Sequence, residues 1–350
     1  MSLRREFPRL RSPMPNRTPT RIGRRSPSPL VLVTSAAHPE ELAPLRRVAR
    51  VILGPEGGDT MPRATVLHWA PQVDAIISQG ELLVDRELLD RAPRLRIVAS
   101  ASVGVDKLDL PLMAQRGVYA TNAPDYFVEA TADYTLGAII ALLRRLPAAD
   151  QYVRAGRWQR FQPGAWDGVL LRGKVLGLIG YGAIGRAVER RAVGFGLSVL
   201  HYARTPTKQK GYTPLHQLLT RSDIVSLHVP LNPDSRELIN KARIARMKRG
   251  AYLVNVSRGP VVDESALVEA LQSGHLGGAA LDVFANEPRV SPALRKQKNT
   301  VFTPHLGGGT IESRHESRLT CAKNVARVLA GQIPDNLKNR PTAKALSKVR

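Results

Sequence analysis

Gly180, Gly182 and Gly185 stand in G-x-G-x-x-G spacing inside "KVLGLIGYGAIGRAVERRAVGFG". An apolar run precedes them and a helix-forming run follows, the context in which this spacing binds a dinucleotide. The first glycine permits a tight turn, the second lets backbone approach a pyrophosphate, and the third lets the helix pack close to the strand. Amide groups of Ala183, Ile184 and Gly185 at the helix start would then face the phosphates.

The following segment bears on which dinucleotide is bound. About 20 residues past such a turn, a carboxylate normally bonds the free 2′-hydroxyl of the adenosine ribose. That position falls on Ala203 in "VLHYARTPTK", with Arg204 beside it. An arginine there attracts a 2′-phosphate, which a carboxylate repels. Arg204, Thr205, Thr207 and Lys208 form a candidate phosphate cradle, so NADPH is expected as cofactor, with NADH as the alternative.

A chain of 350 residues has room for two compact cores, and 43% hydrophobic residues suit a packed protein. One cysteine, Cys321, excludes an internal disulfide framework and suits a reducing compartment, so the cytoplasm is the expected location. No apolar run approaches the ~20 residues that span a bilayer, and no membrane partner is expected. The net charge of +23 is uneven: residues 1–30 hold eight arginines, six prolines and one acid, and the last twenty residues add +4. Basic tails over 1–28 and 341–350 are therefore expected to be disordered, with at most non-specific contact to nucleic acid.

Between the tails, short apolar runs such as "PLVLVTSA", "VARVILGPEGG", "VDAIISQG" and "LRIVASASVGVD" alternate with helix-like segments such as "DRELLDRAP". That rhythm predicts parallel sheets covered on both faces. "EATADYTLGAIIALLRRLPAAD" has apolar positions at helical spacing and predicts a long helix ending before Pro147, after which a second alternating series opens.

Further stretches carry a resemblance. "MKRGAYLVNVSRGPVVDESALVEAL" (247–271), "GAALDVFANEP" (278–288) and "TPHLGG" (303–308), with "SLHVPL" (226–231) and "ASVGVDKLDL" (101–110), resemble signatures of the D-isomer-specific 2-hydroxyacid dehydrogenases. The basic replacement near Ala203 looks like the NADPH-using glyoxylate, hydroxypyruvate and 2-ketogluconate reductases of that family. The resemblance implies two Rossmann-like or flavodoxin-like parallel-sheet α/β domains with the active site in the cleft between them. The substrate domain would be discontinuous, residues 29–122 plus 308–340, with the dinucleotide-binding domain 123–307 inserted and hinges near 122–124 and 304–307. A homodimer formed through the cofactor domain is implied as well.

By the same resemblance, the reaction is reduction of a small 2-oxo acid to the D-2-hydroxy acid. Arg258 in "VSRG" would hold the carboxylate and polarise the carbonyl. His305 in "TPH" would be the general acid for reduction and the base for oxidation. Glu287 in "NEP" would orient the imidazole and favour its charged form. Backbone amides of Val103 and Gly104 would bind the substrate carboxylate. Pro230, Val256, Ser257, Asp282, Gly307 and Gly308 would complete the cofactor side, with His228 beside the cofactor but given no proton transfer. No metal is expected. Other outcomes from this sequence are an NAD-dependent dehydrogenase of other specificity or a dinucleotide-sensing, corepressor-like binding protein, although no folded DNA-binding motif is visible.

Overall fold

Continuous apolar runs, rather than alternating ones, make most of the strands, as sheets covered on both faces require. The computed structural model describes residues 28–206, 208–342 and 345; Thr207 and nearly all of both basic tails lie outside the described residues. Strands β1 (Leu30–Val33), β2 (Arg50–Leu53), β3 (Ala75–Ser78), β4 (Ile97–Ser100) and β5 (Tyr119–Thr121) form a sheet in the order β2-β1-β3-β4-β5. Strands β6 (Val175–Ile179), β7 (Ser198–Tyr202), β8 (Ile224–Leu227), β9 (Ala251–Asn255), β10 (Leu276–Leu281) and β11 (Thr300–Phe302) form a second, in the order β11-β10-β9-β8-β6-β7. All pairings between these strands are parallel. The protein is thus built from two parallel-sheet α/β domains.

Both sheets have their second strand outside their first, so the winding reverses between β1 and β3 and between β6 and β8. Ligands of such sheets bind at the carboxyl ends of the strands flanking the reversal. In the first sheet, Leu32, Ile76 and Val98 pack to one face, while Val33, Ile77 and Ala99 pack to the other. The second of these faces is covered by Cys321, Ala322, Val325 and Val328 of the helix Ile311–Leu329. The chain therefore returns to the first sheet after completing the second. Cys321 is fully buried there, and burial pushes its thiol up to about 12.

The long apolar helix runs from Val128 to Leu143. It ends before Pro147 because a new helix, Leu146–Arg154, takes that proline in its first turn, after Arg145 turns left-handed at φ 55°. By length and composition Asp125–Leu143 could cross a membrane, which corrects the expectation that no run comes close. Its apolarity has another cause: Ala132, Leu136, Ile139 and Leu143 are buried against β6, β10 and the helix Ala183–Gly194.

Candidate active site

A cavity of about 310 Å³ opens between the carboxyl ends of the two sheets. Its walls include Val103 and Gly104 after β4, Ile184 after β6, Pro230 after β8, and Val256, Ser257 and Arg258 after β9. Asp282 after β10 and His305, Gly307 and Gly308 after β11 close it. Residues separated by more than two hundred positions thus share one space.

His305 stands in the left-handed region at φ 56°, a conformation that costs a histidine free energy and must be held from outside. Asp282 holds it. Its backbone carbonyl accepts from the His305 amide at 2.9 Å. Its buried carboxylate accepts from the Thr303 hydroxyl at 2.6 Å and from the Leu306 and Gly307 amides at 2.7 and 2.8 Å. Tyr134 bonds Thr303 from the long helix, and burial pushes its phenol up to about 12, so it remains a neutral partner. Asp282 therefore fixes the loop that carries the imidazole as well as lining the cavity.

Nδ1 of His305 lies 3.0 Å from Oε2 of Glu287, while Oε1 of Glu287 accepts from the Phe284 amide at 3.0 Å. Burial alone would push the Glu287 carboxyl up. Hydrogen bonds from His305 and Phe284 and the charges of His305 and Arg258 outweigh it and hold Glu287 below its ordinary value. Glu287 thus stays ionised at neutral pH and leaves Nε2 as the uncommitted nitrogen of His305. The other histidine on the wall differs: burial takes His228 down to about 4, so its ring is neutral.

Arg258 belongs to the second sheet yet reaches across to the first. Its Nε and Nη2 lie 3.1 and 3.0 Å from Oδ1 of Asp106, and its Nη1 donates to the Ser257 carbonyl at 2.8 Å. A guanidinium has five N–H groups; three are spent, so two remain for a ligand. Asn255 shapes the loop behind it, donating to the Arg258 carbonyl at 2.9 Å and accepting from the Ser257 amide at 3.0 Å. Gly259 lets this loop touch the Glu287 loop, since a Cβ there would stand 1.9 Å from the Phe284 carbonyl carbon.

The glycine turn fits a dinucleotide. Gly180 has φ 98°, and a Cβ on it would meet the His228 carbonyl oxygen at 2.4 Å. A Cβ on Gly185 would meet the Gly180 carbonyl oxygen at 2.4 Å, the close helix–strand approach expected of the third glycine. Gly182 faces open space and caps the helix Ala183–Gly194 without any side-chain bond, which leaves amide donors for an anion. Arg204 and Thr205 follow β7, away from the cavity, and Arg204 pairs with Asp234 at 3.0 Å.

Sequence reasoning missed Asp106 and Asn255. Asp106 was within view, two residues past Gly104, but only the folded chain shows what it faces. Asn255 offered a weaker signal, a polar residue ending an apolar strand. Gly104 gains a sharper role: a Cβ there would stand 1.7 Å from Nη2 of Arg258 and 2.7 Å from Asp106. Gly104→Ala should displace a flexible side-chain tip rather than backbone. We expect the melting temperature to stay within about 2 °C of wild type while kcat/KM for a 2-oxo acid falls about 100-fold; unchanged kinetics would show that the guanidinium does not need this space.

The D-isomer specific 2-hydroxyacid dehydrogenase, NAD binding domain family matches residues 136–307. A glyoxylate reductase of Thermococcus litoralis is 40% identical over 290 residues, 80% of this chain and 87% of that protein. Among solved structures, a Thermus thermophilus protein gives a TM-score of 0.84 at 40% identity, covering 88% of this chain and 99% of that one. The NADPH-dependent glyoxylate/hydroxypyruvate reductase of Sinorhizobium meliloti, solved with NADP and malonate, gives 0.78 at 33% identity, over 91% of this chain and 97% of that one. With a dinucleotide turn, a two-sheet cleft and relatives of this length and identity, the chain is an NAD(P)-dependent oxidoreductase and belongs to the D-isomer-specific 2-hydroxyacid dehydrogenase family.

Proposed function

We propose that the protein reduces a small 2-oxo acid of the glyoxylate, hydroxypyruvate or 2-ketogluconate type to its D-2-hydroxy acid, with NADPH as reductant. The observation that carries this reading is the convergence of Arg258 and the His305–Glu287 pair on one cavity beside the glycine turn. A bound reduced nicotinamide supplies the hydride that C2 accepts. The two uncommitted N–H groups of Arg258, with the Val103 and Gly104 amides, hold the substrate carboxylate and draw electron density from the carbonyl. His305 passes the proton on Nε2 to the carbonyl oxygen, and the Glu287 carboxylate stabilises the imidazolium before transfer. In oxidation the same nitrogen takes the hydroxyl proton back.

The cofactor preference rests on the end of β7. No carboxylate stands at Ala203, and the Arg204 side chain is 79% exposed in a pair with Asp234, itself 73% exposed. Surface pairs of this kind contribute at most ~1 kcal/mol, so a phosphate dianion with more acceptor oxygens can displace Asp234 from Arg204. The test is initial rates with NADPH and NADH on glyoxylate, hydroxypyruvate, pyruvate and 2-ketogluconate. We expect NADPH to be preferred and Arg204→Ala to lower that preference about tenfold or more; preference for NADH, or a ratio untouched by the substitution, would refute the cradle.

We also propose that two copies pair through the cofactor-binding domain. Residues 157–170 expose Trp158, Phe161 and Leu170, at 60%, 83% and 69%, a concentration of apolar surface that solvated loops rarely keep. Light scattering should give about twice the chain mass of 38.3 kDa, and Phe161→Glu should shift it toward one chain. A wild-type monomer at micromolar concentration would contradict the pairing.

A further inference from the structure

Most polar groups on the cavity wall are already committed. Asp106 is bonded to Arg258, Asp282 to the His305 loop, and the Ser102 hydroxyl donates to the Gly104 carbonyl at 2.9 Å. Besides Arg258 and His305, three described side chains on the wall keep a polar group without a partner. His228 has an unpartnered Nδ1, but its backbone abuts Gly180, which places it on the cofactor side. The remaining two belong to the first-sheet side, where the substrate must sit.

Gln79 follows β3, its backbone anchored by the amide donating to Glu81 at 2.7 Å. Its side-chain Nε2 is buried without a hydrogen-bond partner among the described residues, although the residue lines the cavity. A buried, unsatisfied amide N–H is costly to keep. The two ends of a carboxamide are nearly the same shape, so a half-turn can bring either the N–H groups or the carbonyl oxygen toward a bound ligand. Beside it, Gly80 at φ 96° carries no side chain, and a Cβ there would come within 2.8 Å of Ser102. Arg314, in the first turn of the helix Ile311–Leu329, lines the same cavity at its rim. Its guanidinium makes no hydrogen bond or ion pair with any described residue, and Gly309 leaves it room, its absent Cβ lying 3.1 Å from Nη2.

Resting on the reductase reading, we infer that Gln79 and Arg314 form a subsite for an oxygen-bearing group beyond C2, so the preferred substrate is a 2-oxo acid with a hydroxyl or carboxylate on C3 or further out. Glyoxylate carries only a hydrogen on C2 in place of C3, and an alkyl 2-oxo acid presents only C–H groups there. Either would leave both donors unspent. A site that expects a hydrogen-bonding group rejects the analogue lacking it, because its own polar groups stay unpaired.

Pyruvate, hydroxypyruvate and oxaloacetate make the test, since they differ at C3 by hydrogen, hydroxyl and carboxylate. The readout is the ratio of kcat/KM for each oxygenated acid to that for pyruvate, which is insensitive to how much of a variant is folded. We expect at least one ratio to exceed ~10 in the wild-type protein and to fall about tenfold in Gln79→Leu or Arg314→Met. A ratio raised for hydroxypyruvate assigns the subsite to a hydroxyl; one raised for oxaloacetate, and lost mainly in Arg314→Met, assigns it to a carboxylate. Pyruvate within threefold of both acids, or ratios unmoved in both variants, overturns the subsite alone. No turnover of these acids or of glyoxylate with either nicotinamide cofactor overturns the reductase reading and the subsite with it.

Discussion

Parallel strands deliver all their carboxyl ends to one edge of a sheet, and this protein turns two such edges toward one cleft. Apart from Arg314 on its helix, the residues proposed to take part in the chemistry sit on loops leaving that edge. Gln79 follows β3, Gly104 and Asp106 follow β4, and the glycine turn follows β6. Arg258 follows β9, Asp282 and Glu287 follow β10, and His305 follows β11. Apart from the short, half-buried β11, the strands behind these loops are largely buried apolar runs that can shift little, so the loops inherit rigid roots. A reaction needing a guanidinium, an imidazole and a cofactor within one cavity can then draw them from distant parts of the chain.

Within the cleft, each carboxylate has a distinct partner. Glu287 faces the imidazole, Asp106 faces the guanidinium, and Asp282 accepts from a hydroxyl and two backbone amides. The division matters because Arg258 and His305 both occupy the cavity wall, and each needs a fixed counterpart to keep its orientation. Asp106 has a further consequence. It follows a strand of the first sheet and its arginine a strand of the second, so the ion pair is also a contact between the two domains. Substrate held by the same arginine would sit where the domains meet.

Much of this was legible in the chain. The apolar runs around 30–33, 75–78 and 97–100 became strands because sheets buried on both faces demand uninterrupted apolar residues. The glycine spacing could be read because two of its three positions admit no Cβ without meeting backbone. Other features depend on facts that spacing does not carry. Asp106 looks like any acid after a strand until the fold sets it against Arg258, 152 residues away. Arg204 has a surface partner in Asp234 that no local reading of "HYARTPTK" could supply. The apolarity of the helix Val128–Leu143 reflects burial between a sheet and a second helix, a context that composition does not register.

On the proposed mechanism one nitrogen, Nε2 of His305, carries the proton in both directions of one hydride transfer. Its most direct test is the pH dependence of kcat/KM measured separately for reduction of the 2-oxo acid and oxidation of the 2-hydroxy acid. Reduction consumes the imidazolium proton and should fall as pH rises, while oxidation needs the neutral ring and should rise over the same interval. Both limbs should disappear in His305→Gln, with cofactor binding retained. Parallel pH dependence in the two directions, or limbs that survive the substitution, would show that another group carries the proton.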